Sequence, residues 1–503
     1  SGGNDIVRVL VSGSSESSDQ YVDGNGDTLA EQVKNNAPLA NQYQTQYEDM
    51  QSYTKRSIMA KVFVSITDDQ EIQLSATKNR SNDILYSNSS MDAIYDDSNI
   101  YSVAYDIKNI SDIYKDINLQ YYYSDVEHPM STEYRNQAIG LGMPMSTPKD
   151  MTSKLKTTMQ GLKLKNNFDI EGHKLLLGLD GSKRTWDGDY INNLTGLIHM
   201  VPKSINNALT KNMAAFAKLE KSFGDLDVAL GARYDVTNID YDGTAQSNDY
   251  NAFNANMYTT YNIDKNNKIF FGLGQSSRVP DARELYFVSS LNIVVGTPNL
   301  NQTTNQEVDL GYELKNDVMK FKIKGFYSKL RDYIYYNKTT TSFQNVDARV
   351  YGTELSASVY ATDDITVEMG ASYKKGTKDD ALSATNTDKD LADMAPLRGN
   401  VAVNYEYKDN SIATLETVMS DTWKTYDSDN GEQELGAWAI LNLKVKHAVS
   451  KNFDFTLGVN NMFDRTYAQS NTYSDLTLLA AGADTMLLNE PGRYVYTNLD
   501  FKF

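Results

Sequence analysis

The chain has 503 residues, 48 Lys and Arg against 66 Asp and Glu, a formal net charge of −18, no Cys and four His (128, 173, 199 and 447). Without Cys there is no disulfide framework, zinc–thiolate site or thiol nucleophile, and four scattered imidazoles leave little for an all-histidine metal site or a histidine-based triad. The acidic balance argues against nucleic acid as a partner and fits a surface or cavity that concentrates cations. A mean hydropathy of −0.52 accompanies the lack of any run of roughly 18 apolar residues, so no transmembrane helix is expected. No signal peptide opens the chain, no Pro/Gly/Ser linker divides it, and its composition does not shift, so 1-503 reads as one domain.

In chain order, Ser1–Asp5 reads as a turn, and a strand over about 5–15 enters a long connection, 16–52. Ile58, Ala60, Val62, Val64 and Ile66 then alternate with Met59, Lys61, Phe63 and Ser65. The same period of two returns at Ile117, Leu119, Tyr121 and Tyr123, whose neighbours Asp116, Asn118, Gln120 and Tyr122 are polar or amphipathic. It continues at Ala437–Val445 and Phe453–Val459, and closes the chain at Val495, Thr497, Leu499, Phe501 and Phe503.

Such runs amount to about twenty strands, whose connections take turns between short and long. Short ones are 67–70, 169–172, 224–225, 264–267, 362–364, 408–410 and 450–452. Long ones are 16–52, 80–98, 127–151, 184–206, 240–250, 276–303, 376–395, 425–436 and 463–491. The nine prolines fall in connections or at strand ends, where no ladder donor is lost. This rhythm predicts an all-β transmembrane antiparallel barrel with short periplasmic turns, long external loops and a polar lumen. The 35 Tyr suit girdles at the two interfaces.

One long connection gathers Met130, Met143, Met145 and Met151 around His128. If odd positions near 120 face lipid, His128 and Met130 share the lumen face, because residues two apart on a strand point the same way. Imidazole with thioether is a soft ligand pair that favours copper(I) over hard cations, and Pro129 stiffens the backbone between them. Met143, Met145, Met151, His199 and Met200 are weaker candidates, and methionine as adaptable filler is the bland alternative. Arg278, Arg283 and Glu284 read as a lumen ion-pair network or plug contact, with contact to substrate the alternative, and Asp96-Asp97 and Asp379-Asp380 as solvated loop faces, with divalent cations bridging to lipopolysaccharide the alternative. No Gly-x-Ser-x-Gly elbow, phosphate-binding glycine loop or His-Glu-x-x-His occurs, so a non-enzyme is expected.

"GQSSRVPDARELYF" (Gly274–Phe287), "GTPNLNQTTNQEVDLGYEL" (Gly296–Leu314), "NVDARVYGTEL" (Asn345–Leu355), "LGVNNMFDRTYA" (Leu457–Ala468) and the closing "NEPGRYVYTNLDFKF" resemble, in this order, motifs of TonB-dependent outer-membrane receptors. The resemblance implies a barrel of about 22 strands around an N-terminal plug of roughly 130–150 residues. It implies residence in the bacterial outer membrane among lipid and lipopolysaccharide, energy from the TonB-ExbB-ExbD complex through the plug, and a monomer. About twenty strands are present here, with neither plug nor TonB box; signal, plug and first hairpin are the expected missing parts. The segment at His128 and Met130 is similar to the His-x-Met segment of TonB-dependent copper receptors, where these residues bind copper together with plug residues, commonly a Cys and a Met. Uptake of copper is the leading expectation. An iron–siderophore, haem or nickel complex as cargo, a passive porin-like channel and a soluble β-rich binding protein are the alternatives.

Overall fold

The computed structural model describes residues 2–141, 150–471 and 487–502. Among these residues twenty-one strands follow one another: β1 (Gly2–Gly3), β2 (Val7–Ser18), β3 (Tyr53–Thr67), β4 (Gln70–Ile84), β5 (Asp92–Lys108), β6 (Tyr114–Ser131) and β7 (Met151–Ile170). Next come β8 (His173–Asn192), β9 (Ile198–Phe223), β10 (Leu226–Asp240), β11 (Asn248–Asn262), β12 (Asn267–Arg278), β13 (Thr303–Lys315) and β14 (Met319–Asn337). The last are β15 (Ser342–Tyr360), β16 (Ile365–Lys378), β17 (Arg398–Lys408), β18 (Ser411–Ser420), β19 (Trp438–Ser450), β20 (Phe453–Asn460) and β21 (Tyr494–Phe501). Each strand pairs antiparallel with the next in sequence, giving one continuous meander that forms the barrel wall.

The predicted alternation sorts the two faces. Val9, Val62, Leu74, Val103, Tyr121 and Leu162 lie directly opposite one another across β2 to β7 and form one apolar row. Leu119, Tyr121, Leu177 and Leu179 on this face are exposed, as a lipid-facing surface requires. The other face carries polar groups: Arg233 lies 2.8 Å from Asp235 and 3.5 Å from Asp180, and Lys163 lies 3.3 Å from Asp180. Tyr122 belongs to this inward face and lies over Gly161, where an added Cβ would sit 2.4 Å from the ring. The seven short connections fall where the sequence placed them; in one, Glu171 and Gly172 both take left-handed backbone (φ 52° and 77°), as a two-residue hairpin demands.

The long connections need correction. Much of what reads as loop is strand: 184–206 reduces to 193–197, and of 127–151 the residues 127–131 and Met151 belong to strands. A barrel strand crosses the bilayer in about 9–11 residues, whereas β7 and β8 have 20 each and β9 has 26. These strands continue well above the membrane, pairing with each other and sparing their backbone groups from competing for water. Pro202 inside β9 is tolerated because the β8–β9 ladder is bulged between Gly188 and Ile191.

Buried apolar clusters sit at the external end. Helix α1 (Leu29–Asn36) buries Ala30 and Val33 against Tyr43 and Tyr134. Helix α2 (Ala282–Tyr286) is started by a capping box, Asp281 with Glu284, and buries Leu285 and Tyr286 against Ile205, Ile239 and Ile334 of the wall. Arg278 makes two hydrogen bonds to Glu284 (2.8 and 2.9 Å), the part of the expected ion-pair network that the structure shows, and Arg184, which was not expected there, pairs with Asp281 at 2.7 Å; Arg283 lies over the Phe287 ring, 4.8 Å from its centroid. The external loops also join the two ends of the meander. Asp23 bridges Pro491, and the Tyr21 hydroxyl donates to the Asn489 carbonyl at 2.6 Å.

Candidate functional site

His128 and Met130 lie near the upper end of β6, on strand rather than loop. Pro129 between them has no N–H to give, and there the β5–β6 ladder breaks: Ala93 pairs with Met130 and Asp97 with Glu127, leaving three residues of β5 opposite two of β6. This bulge turns Asp96 toward the imidazole, with Nδ1 of His128 and Oδ2 of Asp96 3.4 Å apart. Tyr86 stands edge-on to the ring, centroids 5.7 Å apart. The carboxylate thus lies on the Nδ1 side of the ring.

Across β5 to β8, Ala93, Met130, Ser153 and Tyr190 lie directly opposite one another and share one face. Two residues along from Ser153 comes Met151, and two from Ala93 comes Met91, so three thioethers meet. Met91, Met151 and Tyr190 are buried together, with Met130 and Val201 packed on them. His128 is on the same face as Met130 and partly exposed. The soft pair is therefore continuous with a methionine cluster.

Behind the cluster lies a fully buried ion pair. Arg135 donates to both carboxylate oxygens of Asp92 (2.6 and 2.8 Å), to the Tyr43 hydroxyl (2.8 Å) and to the carbonyls of Asn41 and Tyr86 (2.9 and 3.0 Å). Both side chains are 0% exposed. Asp92 also accepts the Tyr86 backbone N–H at 2.8 Å. One guanidinium thus fixes the residue that follows Met91 and the residue that flanks His128.

The remaining candidates divide. His199 is buried and edge-on to Tyr190, centroids 6.2 Å apart, with Nδ1 accepting the Val201 N–H at 2.9 Å and Nε2 without a hydrogen-bond partner among the described residues. Met200 is 83% exposed, because successive strand residues face opposite ways, so the two do not act as a unit. Met143 and Met145 lie outside the described residues. Asp96-Asp97 is no loop face: Asp96 meets His128, and Asp97 pairs with Arg80 at 3.2 Å. Sequence reasoning missed Asp96, Tyr86, Met91 and the Arg135–Asp92 pair. Only the proline beside a histidine hinted at a bulge. Among the described residues, no three His, Asp or Glu side chains converge as a metal site.

A family model described as TonB dependent receptor-like, beta-barrel, matches residues 21–462. The chain belongs to the TonB-dependent receptor β-barrel family. Proteins of this family lie in the bacterial outer membrane, so the exposed apolar rows of this TonB-dependent receptor barrel face lipid. Over 259 residues it is 22% identical to the vitamin B12 transporter BtuB of Photobacterium profundum, a match covering 49% of this chain and 40% of that relative. Among solved structures, the copper transporter OprC superposes with TM-score 0.80 at 19% identity over 100% of this chain and 76% of that one. The FrpB iron transporter of Neisseria meningitidis (F3-3 variant) does so with TM-score 0.72 at 14% identity, covering 100% and 78%. At these identities the structures establish a shared fold. In this receptor barrel the His128–Met130 face looks inward, on the side of Tyr122, Asp180 and Arg233.

Proposed function

We propose that this barrel belongs to a receptor for energy-coupled uptake of copper, with His128 Nε2 and the Met130 sulfur as ligands contributed by the wall. The observation that carries the reading is their common inward face together with the Met91–Met130–Met151 cluster. Thioethers prefer copper(I), and an imidazole oriented by a carboxylate is a stronger donor. Asp96 orients the ring, and Arg135 with Asp92 holds the strand ends that present Met91 and Tyr86. In this reading copper enters between the external loops, passes thioether donors, and is completed in its coordination by groups of a plug. The TonB-ExbB-ExbD complex then drives the plug rearrangement that releases it inward. The likeness to a copper transporter supports the cargo.

The second reading keeps the machine and changes the cargo to an iron or corrinoid complex. The matches to a vitamin B12 transporter and an iron transporter favour it. Calorimetric titration with copper(I) under reductant separates the two. A copper receptor loses at least about tenfold in affinity, about 1.4 kcal/mol, in both His128→Ala and Met130→Leu. Unchanged binding in both variants removes copper from the proposal.

A further inference from the structure

Strands β16 and β18 rise into two neighbouring external segments, 379–397 and 421–437. A fully buried lysine joins them. Lys378, the last residue of β16, places Nζ 2.7 Å from Oδ2 of Asp427, and both side chains are 0% exposed. The Tyr335 ring centroid lies 4.9 Å from Nζ, and Tyr335 is itself buried with Ala348 and Leu391. Lys156, Lys163, Lys203 and Lys211 also pair with carboxylates, but their side chains are 30–51% exposed, where water keeps both ions charged.

The two oxygens of Asp427 are treated unequally. Oδ2 accepts from Nζ and from the Tyr335 hydroxyl, whose oxygen accepts the Ala392 N–H at 2.9 Å. Oδ1 is buried with no hydrogen-bond partner among the described residues. A carboxylate oxygen left in that state costs more than a neutral amide oxygen in the same place. A third carboxyl stands close by. Asp390 bridges Thr377, the neighbour of Lys378, and its charge acts on both Lys378 and Asp427. Burial raises this carboxyl above its ordinary value, so it holds its proton more tightly than an exposed aspartate does.

We propose that Lys378 and Asp427 condense into an internal amide, a cross-link that the fold makes by itself. The ammonium passes one proton to Oδ2 across the 2.7 Å contact, a transfer that burial favours because it removes two charges. The free amine attacks Cγ, one bond from Oδ2, and a nitrogen–carbon bond forms. Asp390 gives its proton to Oδ2 and takes one from the nitrogen, so it ends as it began. The Cγ–Oδ2 bond breaks, Oδ2 leaves as water, and Oδ1 stays as the amide oxygen. No proton or electron is exchanged with the surroundings. Holding amine and acid in contact raises their effective concentration to as much as roughly 10⁵–10⁸ M, and burial withholds the ion hydration that opposes condensation in water. Arg135–Asp92 is equally buried and does not react, because a guanidinium keeps its charge. The bond spans 49 residues of chain and ties the 421–437 segment to the wall, whichever cargo the lumen takes.

The test follows the intact mass of the full chain, first in urea and then after folding into detergent. The chain in urea is expected to keep its full mass. The folded chain is expected to lose about 18 Da, one water, and to yield on proteolysis a branched peptide joining Lys378 to Asp427. A folded chain at full mass overturns the proposal, and so does a loss of water without the branched peptide, which marks ring closure at another aspartate. Lys378→Met combined with Asp427→Leu removes both charges together and so leaves neither buried alone. That chain is expected to keep its full mass, and a loss of water from it also overturns the proposal. Asp390→Asn is expected to slow the loss at least about tenfold; an equal rate overturns the relay.

Discussion

At residue scale, leucine at position 130 keeps roughly the volume of methionine and removes its sulfur. Such a swap costs less than about 1.5 kcal/mol in a packed site, so Met130→Leu is expected to leave thermal unfolding nearly unchanged while weakening copper binding. Met151→Ala asks the opposite question. Met151 is buried against Met91 and Tyr190, and truncation there is expected to cost about 2–5 kcal/mol. A Met151→Leu chain that recovers stability but not metal retention assigns the sulfur a ligand's role; full recovery of both makes it filler. The shared face of His128 and Met130 was legible because a strand's period is two. Asp96 was not, since a bulge between β5 and β6 delivers it, and pairing across strands leaves no trace in local spacing.

At the scale of elements, the upper strands are held by buried ion pairs rather than by a hydrophobic core alone. Arg135–Asp92 ties the segment after β6 to the start of β5. Lys378 of β16 meets Asp427 at 2.7 Å, also fully buried, beneath the Tyr335 ring. Removing one partner of such a pair leaves a buried charge uncompensated, at roughly 3–5 kcal/mol. Arg135→Ala is therefore expected to open the segment around 132–141 to hydrogen exchange and to weaken metal binding, while the membrane portion of β6 stays protected; exchange mass spectrometry reads both. On the lipid face, Leu179→Arg on β8 is expected to destabilise insertion by about 2–4 kcal/mol if it lies near the bilayer midplane, measured by folding into lipid vesicles. The turns between strands were legible from their Asp, Asn and Gly residues, and the apolar rows from alternation. The height of β7 to β9 above the membrane was not, because polar residues at alternate positions look the same in a loop and in a strand paired in water.

At the scale of the whole molecule, the external loops bring the first and last long strands together. Glu490 sits half-buried in that junction, its N–H donating to the Tyr467 carbonyl at 2.8 Å. Burial pushes its carboxyl above the ordinary value, and Arg398 only partly opposes this. A raised folded value means that the native state holds its proton more tightly. The resulting stabilisation is complete below the ordinary carboxylate value of 4.5 and is lost as pH rises through the folded value. Glu490→Gln is expected to flatten the fall in apparent Tm between acid and neutral pH; an unchanged slope assigns the pH dependence to other groups.

The sequence alone determined the architecture. Period-two alternation, short turns at alternate connections and the lack of a long apolar run admit a barrel, because lipid forces every backbone group to pair within the wall. It also placed an imidazole and a thioether on one face. The tertiary structure alone decided what surrounds them. Met91 with Asp96, Arg135 and Tyr190 come from three separate stretches of the chain and are brought beside His128 and Met130 through strand register, and register is a property of neighbouring strands rather than of any one stretch of chain.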